Sequence, residues 1–192
     1  MKYTYFRLVL AVLLFLGGWQ IVSADTNELM VRCVAFYNLE NVFDTIHDEG
    51  KNDYEYLPDG GMKWTSLKYT NKIQNMAYAI AQLGTDEDPR GAAIVGVSEV
   101  ENIGCLHDLC KELKEKHNRN YVPILLEGPD RRGIDVGLLY NPDMFKPVGK
   151  PKGYELKAHY ADGGVVRSRL QLWVSGYMLD DSRKIVMDKI HI

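Results

Sequence analysis

Apolar positions along the chain switch between two periods. Met30 to Tyr37 (MVRCVAFY) is a near-continuous apolar run of the kind a buried strand shows. From Ser66 to Leu83 the apolar residues Ile73, Met76, Ala77, Ile80 and Leu83 recur at helical spacing, and Gly84 supplies a stop. Ala92 to Val100 (AAIVGVSEV) is apolar except at Gly96, Ser98 and Glu99, which predicts a strand buried on both faces. Ile103, Leu106, Cys110 and Leu113 then mark one side of a second helix. Tyr121 to Leu126 and Asp135 to Tyr140 predict further strands, separated by the turn-rich Gly128-Pro129-Asp130-Arg131-Arg132-Gly133. The last third changes to strand-and-turn patterning, with strands expected over Val165 to Gly176 and Lys184 to Ile192. Strand, helix, strand, helix and then several strands imply an α/β sandwich.

Two stretches depart from this pattern. Residues 41–64 are long, polar and turn-rich, and loops of that length are usually functional or mobile. The start of the chain carries Lys2 and Arg7, an unbroken apolar run from Leu8 to Leu16, a Gly17-Gly18 break, and the small residues Val22-Ser23-Ala24 before Asp25. That order is the pattern of a secretory signal peptide over residues 1–24, leaving a domain over 25–192 that is exported, periplasmic or extracellular. The alternative is an uncleaved membrane anchor, but the run falls short of the roughly 20 apolar residues a spanning helix needs.

Composition narrows the class. A length of 192 residues fits one domain, and 46% apolar with 26% charged residues argues against disorder. No basic run suggests a sequence-independent nucleic-acid binder, and the formal charge of −3, which becomes −5 when Lys2 and Arg7 leave with the signal, mildly disfavours tight nonspecific binding. A nuclease that holds phosphate through a metal ion is still allowed. Three cysteines build no disulfide framework. Cys33 reads as packing in a strand, Cys105 and Cys110 diverge on a helix, and no Cys/His spacing resembles a zinc site.

Glu99 is a carboxylate at the end of an otherwise apolar strand. A buried charge needs a cation or hydrogen-bond donors, and strand carboxyl ends are where open α/β sheets place ligands. A hard divalent cation suits one or two carboxylates plus substrate phosphate. The competing reading is a Glu that meets solvent as its strand ends. Asn38 lies just past another apolar strand, where an amide can orient a water or a phosphate oxygen, or simply form a turn.

Taken together, Val34-Ala35-Phe36-Tyr37-Asn38-Leu39-Glu40-Asn41-Val42-Phe43-Asp44 and Ile94-Val95-Gly96-Val97-Ser98-Glu99-Val100-Glu101-Asn102 resemble the endonuclease/exonuclease/phosphatase family, in its exported bacterial form. The likeness continues through Pro129 to Tyr140 and through Arg167 to Gly176. It implies the N-terminal part of a four-layer α/β sandwich like that of DNase I, with a metal site at one edge of two packed sheets. It also implies a phosphoester substrate, nucleic acid among the options, and a Mg²⁺ cofactor, with Mn²⁺ or Ca²⁺ as alternatives. Carried over by position, Asn38 and Glu99 are the metal-site residues, and Arg169 contacts phosphate, with Arg167 the other candidate. Asp135 is either a supporting residue behind the site or a turn-capping Asp. Arg132 reads as a solvated Arg that could reach a phosphate.

Other marked residues carry less. His47, His107, His117 and His159 lack paired ligand spacing and are expected at the surface or in loops. The Asp-rich stretch Asp44 to Asp59 lacks the spacing of a calcium loop and is expected to be solvated. The family's later segments, an Asn-His-Trp-Pro-Ser-Arg-like run and a final Asp-His pair, have no counterpart here, and His191 lies in the strand before where the first would fall. One sheet is therefore expected to keep an uncovered apolar face, and the chain alone to be poorly soluble and inactive. The alternative to an enzyme is an inactive or partner-dependent fragment.

Overall fold

Why β1 stops being a regular strand is the feature that positions everything else. In the computed structural model, which describes residues 30–166 and 168–192, β1 (Val34–Val42) and β2 (Ile94–Val100) pair in parallel from Val34↔Ile94 to Asn38↔Ser98. The next pair is Val42↔Val100, so three residues of β1 bulge against one of β2. The expected strand from Met30 therefore starts later and runs further, through Asn38. Residues 1–24, the expected signal segment, lie outside the described residues, as does Arg167.

Helix α1 (Ser66–Gln82) and helix α2 (Ile103–His117) form as the apolar spacing requires. Thr65 Oγ1 and Asn102 Oδ1 cap their first turns, and Asn118 closes α2 in the left-handed region. β1, α1 and β2 make a parallel βαβ unit, which needs such a helical crossover. β4 (Asp135–Tyr140) joins β2 antiparallel, and β3 (Val122–Leu125) joins β4, giving the order β1-β2-β4-β3.

The two faces of this sheet differ. On one, Leu39, Val95, Val97 and Leu139 pack with Ile73, Ala77 and Ile80 of α1 and Leu106, Leu109 and Leu113 of α2. On the other, Ile94 and Leu138 meet Phe145, Val174 and Met178. Phe145 comes from β5 (Phe145–Pro147), Met178 from β8 (Ser175–Met178) and Val174 from just before it; β5 and β8 with β9 (Ile190–His191) form a second sheet. Helix layer, sheet and second sheet are thus in place, and the α/β class holds.

The last third differs from the expected long strands. Val165 makes only a bridge to His159, and Ile185 only a bridge to Leu179. β7 (Gln171–Trp173) pairs instead with β6 (Lys152–Tyr154). β5 and β6 escape the pattern because each is three residues long and the turn between them carries Gly149 and Pro151. Arg32, two residues before β1, bonds Asp88 at 3.0 Å and Asp181 at 2.7 Å, tying the strand's start to the turn after β8. The three cysteines are all free, as expected, with Cys105 and Cys110 buried on α2.

The expected uncovered face is real but smaller than one whole sheet. The second sheet covers Ile94 and Leu138, while on β1 Val34 is 52% and Phe36 65% exposed. Phe36 lies across Gly96, where a Cβ would come within 2.9 Å of its ring. An edge strand with exposed apolar residues invites association. Phe36→Thr keeps a β-former while removing the ring. It is expected to leave the far-ultraviolet dichroism unchanged and to shift the chain toward monomer in size-exclusion chromatography. Unchanged association would show that this face is not the sticky one.

Candidate active site

The mismatch between β1 and β2 is matched on the other side of β2. Ser98 pairs with Val136 and Val100 with Asp135, so Glu99 faces no residue on either neighbour. Its φ of 63° lies in the left-handed region, as do Glu40 (55°) and Asn41 (63°) on the β1 side. Such residues cost of order 1–3 kcal/mol each and persist only where the surroundings enforce them. Here the enforcement is the burial of Val100 and Val42 immediately beyond. The result is a carboxylate pushed out of the ladder at the carboxyl end of two parallel strands.

Asn38 stands beside it. Its amide oxygen accepts from the Glu40 N–H at 2.9 Å and from the Ser98 hydroxyl at 3.3 Å. A carbonyl oxygen has two lone pairs, so both are engaged and the amide's NH₂ is left as the end that can meet a ligand. Arg169 Nη2 lies 3.7 Å from Glu99 Oε1, with the two side chains 29% and 22% exposed. Asn38, Glu99 and Arg169 therefore come from three separate stretches of chain to one strand end.

The groups present fit a hard divalent cation. Among the described residues no hydrogen bond reaches the Glu99 carboxylate, and Arg169 is too distant for one. The Arg169 Nε is buried without a partner. An oxygen donor with its lone pairs available, next to a guanidinium, suits a cation that takes one or two carboxylates and fills the rest of its shell with water and phosphate oxygens.

A second group, Asp44, Glu101 and Cys105, brings three ligand atoms within 4.8 Å of one another. It does not fit such a cation. Asp44 already accepts from the Ile46 N–H at 2.7 Å and from the Asn102 amide at 3.1 Å. Burial pushes the Cys105 thiol up to about 12, so it stays protonated. Burial also pushes Glu101 up to about 8, against the opposing pull of the Asp44 N–H. Glu101 is thus a neutral acid at neutral pH that anchors the start of the 44–57 loop. Strict alternation would have put it on the same face as Glu99; the extra residue at Glu99 turns it inward.

The surrounding loop is more ordered inside than its composition implies. Asp53 is 1% exposed and accepts from the Asp48 N–H at 2.8 Å while pairing with His47 Nδ1. The Asp-rich stretch is therefore partly buried rather than simply solvated, and His47 stays at the surface but has a carboxylate partner. Tyr56 stacks on Phe43 with ring centroids 4.1 Å apart, and the Trp64 indole donates to the Phe43 carbonyl at 2.7 Å. Nothing in the hydropathy pattern marks these pairings. Asp135 caps a turn: it is 1% exposed and accepts from the Gly128 N–H at 2.9 Å, and burial pushes it up to about 6. Arg132 is half-exposed, 3.7 Å from Asp130. His107 and His159 are exposed and His117 is half-buried, edge-on to Tyr78. His191 pairs with Trp173 and Ser175 in β9.

Glu101 gives a pH signature. Its folded-state value of about 8 lies above the ordinary 4.5, so its contribution is fully present below about 4.5 and is lost as pH rises through about 8. Glu101→Gln mimics the neutral form. It is expected to lose less stability than the parent in urea denaturation as pH rises from 5 to 9; parallel profiles would contradict the assignment.

Comparison with known proteins bears on the whole arrangement. The chain is similar to the crystal structure of an endonuclease/exonuclease/phosphatase from Bacteroides vulgatus, at 17% identity over 79% of this chain and 48% of that one, with a TM-score of 0.41. A family protein of the same description from Bacteroides thetaiotaomicron gives 18% identity over 78% and 44%, with a TM-score of 0.41. A functionally unknown conserved protein from Enterococcus faecalis V583 gives 12% over 82% and 50%, also at 0.41. The chain spans about half the length of these structures. No curated protein matches it. A family model matches residues 33–190, a span that takes in Asn38, Glu99 and Arg169 together with nearly every described element. By that match the chain belongs to the endonuclease/exonuclease/phosphatase family.

Proposed function

We propose that this chain carries the metal and phosphate side of a phosphoesterase, and that the bond hydrolysed is a phosphodiester, as in nucleases. The observation that supports it is the meeting of an extruded carboxylate, an amide with its oxygen engaged, and a guanidinium at one strand end. Glu99 holds the divalent cation, Mg²⁺ by preference, with Mn²⁺ or Ca²⁺ as substitutes. When bound, the cation polarises a phosphoryl oxygen and makes a water more acidic.

The chain's own residues do the rest of the positioning. Asn38, held by Ser98 and the Glu40 N–H, offers its NH₂ to a phosphate oxygen or to the attacking water. Arg169 sets its planar guanidinium against the negative charge that gathers on the phosphoryl oxygens in the transition state. Both it and Glu99 keep contact with solvent, so Arg169 can turn from carboxylate to phosphate without stranding a buried charge.

We infer in addition that the protein is exported, from the basic, apolar and small-residue order of residues 1–24. The mature protein recovered from outside the cytoplasm is expected to begin at Asp25; recovery with Met1 intact would contradict that.

Glu99→Gln keeps size and removes the charge. In a version that carries the remaining family segments, it is expected to lower Mg²⁺-dependent hydrolysis of bis(4-nitrophenyl) phosphate by about 100-fold or more. In the 192-residue chain it is expected to abolish Mn²⁺ binding read by electron paramagnetic resonance. Unchanged hydrolysis and unchanged Mn²⁺ binding would remove Glu99 from the site.

A further inference from the structure

A cleft lies along the Pro129–Arg132 loop. Its opposite wall is the segment joining β6 to β7, which folds back on itself as a hairpin. The larger compartment, of about 460 Å³, is lined by Pro129 on one side and by Leu156, Lys157, His159, Val166 and Ser168 on the other. The smaller, of about 230 Å³, lies between Asp130, Arg131 and Arg132 and the hairpin's Tyr160. Val165 lines both, so the two compartments adjoin.

Three observations set the cleft near the site. Ser168 lines it, and the next residue, Arg169, reaches Glu99. Gly128, just ahead of the loop, packs so closely on Leu170 that a Cβ would meet its backbone nitrogen at 3.1 Å. The Tyr56 phenol, raised chiefly by burial and by Glu55, also feels Arg132 and Glu99 together.

The hairpin is rigid where it meets the cleft. Tyr160 N–H donates to the Gly164 carbonyl at 2.7 Å, Gly163 N–H to the Tyr160 carbonyl at 2.9 Å, and Val166 N–H to the Ala158 carbonyl at 2.9 Å. Asp162 Oδ1 accepts from the Gly164 N–H at 2.9 Å. Yet this well-bonded turn leaves Tyr160 and Val165 each 61% exposed. An exposed aromatic ring on this hairpin, facing two arginines across the smaller compartment, has the chemistry to stack a base beside a held phosphate.

We propose that the cleft receives the nucleotide adjacent to the scissile phosphodiester of a single-stranded nucleic acid, with its base stacked on Tyr160 and its outer phosphate held by Arg131 and Arg132. This rests on the phosphodiesterase reading above. The chemistry separates this ligand from others that carry phosphate. An acyl chain needs an unbroken apolar lining, which Lys157, His159 and Ser168 interrupt. A sugar polyphosphate has no planar face for Tyr160. A duplex keeps its bases stacked inside, out of reach of an exposed ring.

The test is fluorescence anisotropy of an end-labelled single-stranded oligodeoxynucleotide in EDTA, where no hydrolysis occurs. Tyr160→Ala is expected to weaken binding by roughly tenfold or more, while Tyr160→Phe and Tyr160→Trp retain it. Arg132→Ser is expected to flatten the dependence of log K on log salt by about 0.7. Hydrolysis and Mn²⁺ binding are read in the metal-loaded assays above, so failure of the phosphodiesterase reading and failure of stacking are read separately. Equal binding by Tyr160→Ala and the parent overturns the proposal, as does absence of oligonucleotide binding by the parent. So does Tyr160-dependent binding to phosphatidylglycerol vesicles with none to the oligonucleotide.

Discussion

Between Asn38 and Val42 three residues of β1 stand against a single residue of β2, and β4 likewise passes Glu99 without pairing to it. A residue left out of the ladder on both sides cannot lie in the sheet. It has to leave the plane, and the left-handed backbone at Glu40, Asn41 and Glu99 is how the chain does so. Two parallel strands thus end on a carboxylate that faces outward, with an amide beside it. Were the ladder regular, Glu99 and Glu101 would share one face, and the strand end would hold two like charges side by side.

The same break gives the two carboxylates opposite environments. Glu99 keeps solvent contact and an arginine neighbour, and it receives no hydrogen bond among the described residues. Glu101, two residues on, is 3% exposed and close to Asp44 and Cys105, where burial favours its neutral form. One remains a charge able to meet a cation, and the other becomes a structural acid that holds the 44–57 loop to the sheet through the Asp44 N–H at 2.7 Å. That loop brings Tyr56 alongside, and the loop before β4 brings Arg132.

Much of this was legible in the sequence. The helices over Ser66–Gln82 and Ile103–His117 follow from apolar spacing, and the strand ending in Glu99 from its run of buried residues. The proximity of Asn38 and Glu99 follows once both are placed at strand ends. What was not legible depends on contacts that no local pattern encodes. The Glu101 position reverses because a bulge shifts the strand's alternation by one residue. The His47–Asp53 pair forms inside a stretch whose composition reads as solvated. The long strands expected over 165–176 and 184–192 break into short ones because pairing partners, not propensity, set their ends. Sequence position alone left Arg167 and Arg169 as alternatives; the fold sets Arg169 beside Glu99, and Arg167 lies outside the described residues.

The central claim is that the extruded Glu99 is the chain's cation ligand and that the neighbouring Asp44–Glu101–Cys105 group is not one. Anomalous scattering from crystals soaked in Mn²⁺ separates the two directly. The expected result is one strong peak about 2.1 Å from a Glu99 carboxylate oxygen. A peak among Asp44, Glu101 and Cys105 instead, or none at Glu99 at saturating Mn²⁺, would contradict it.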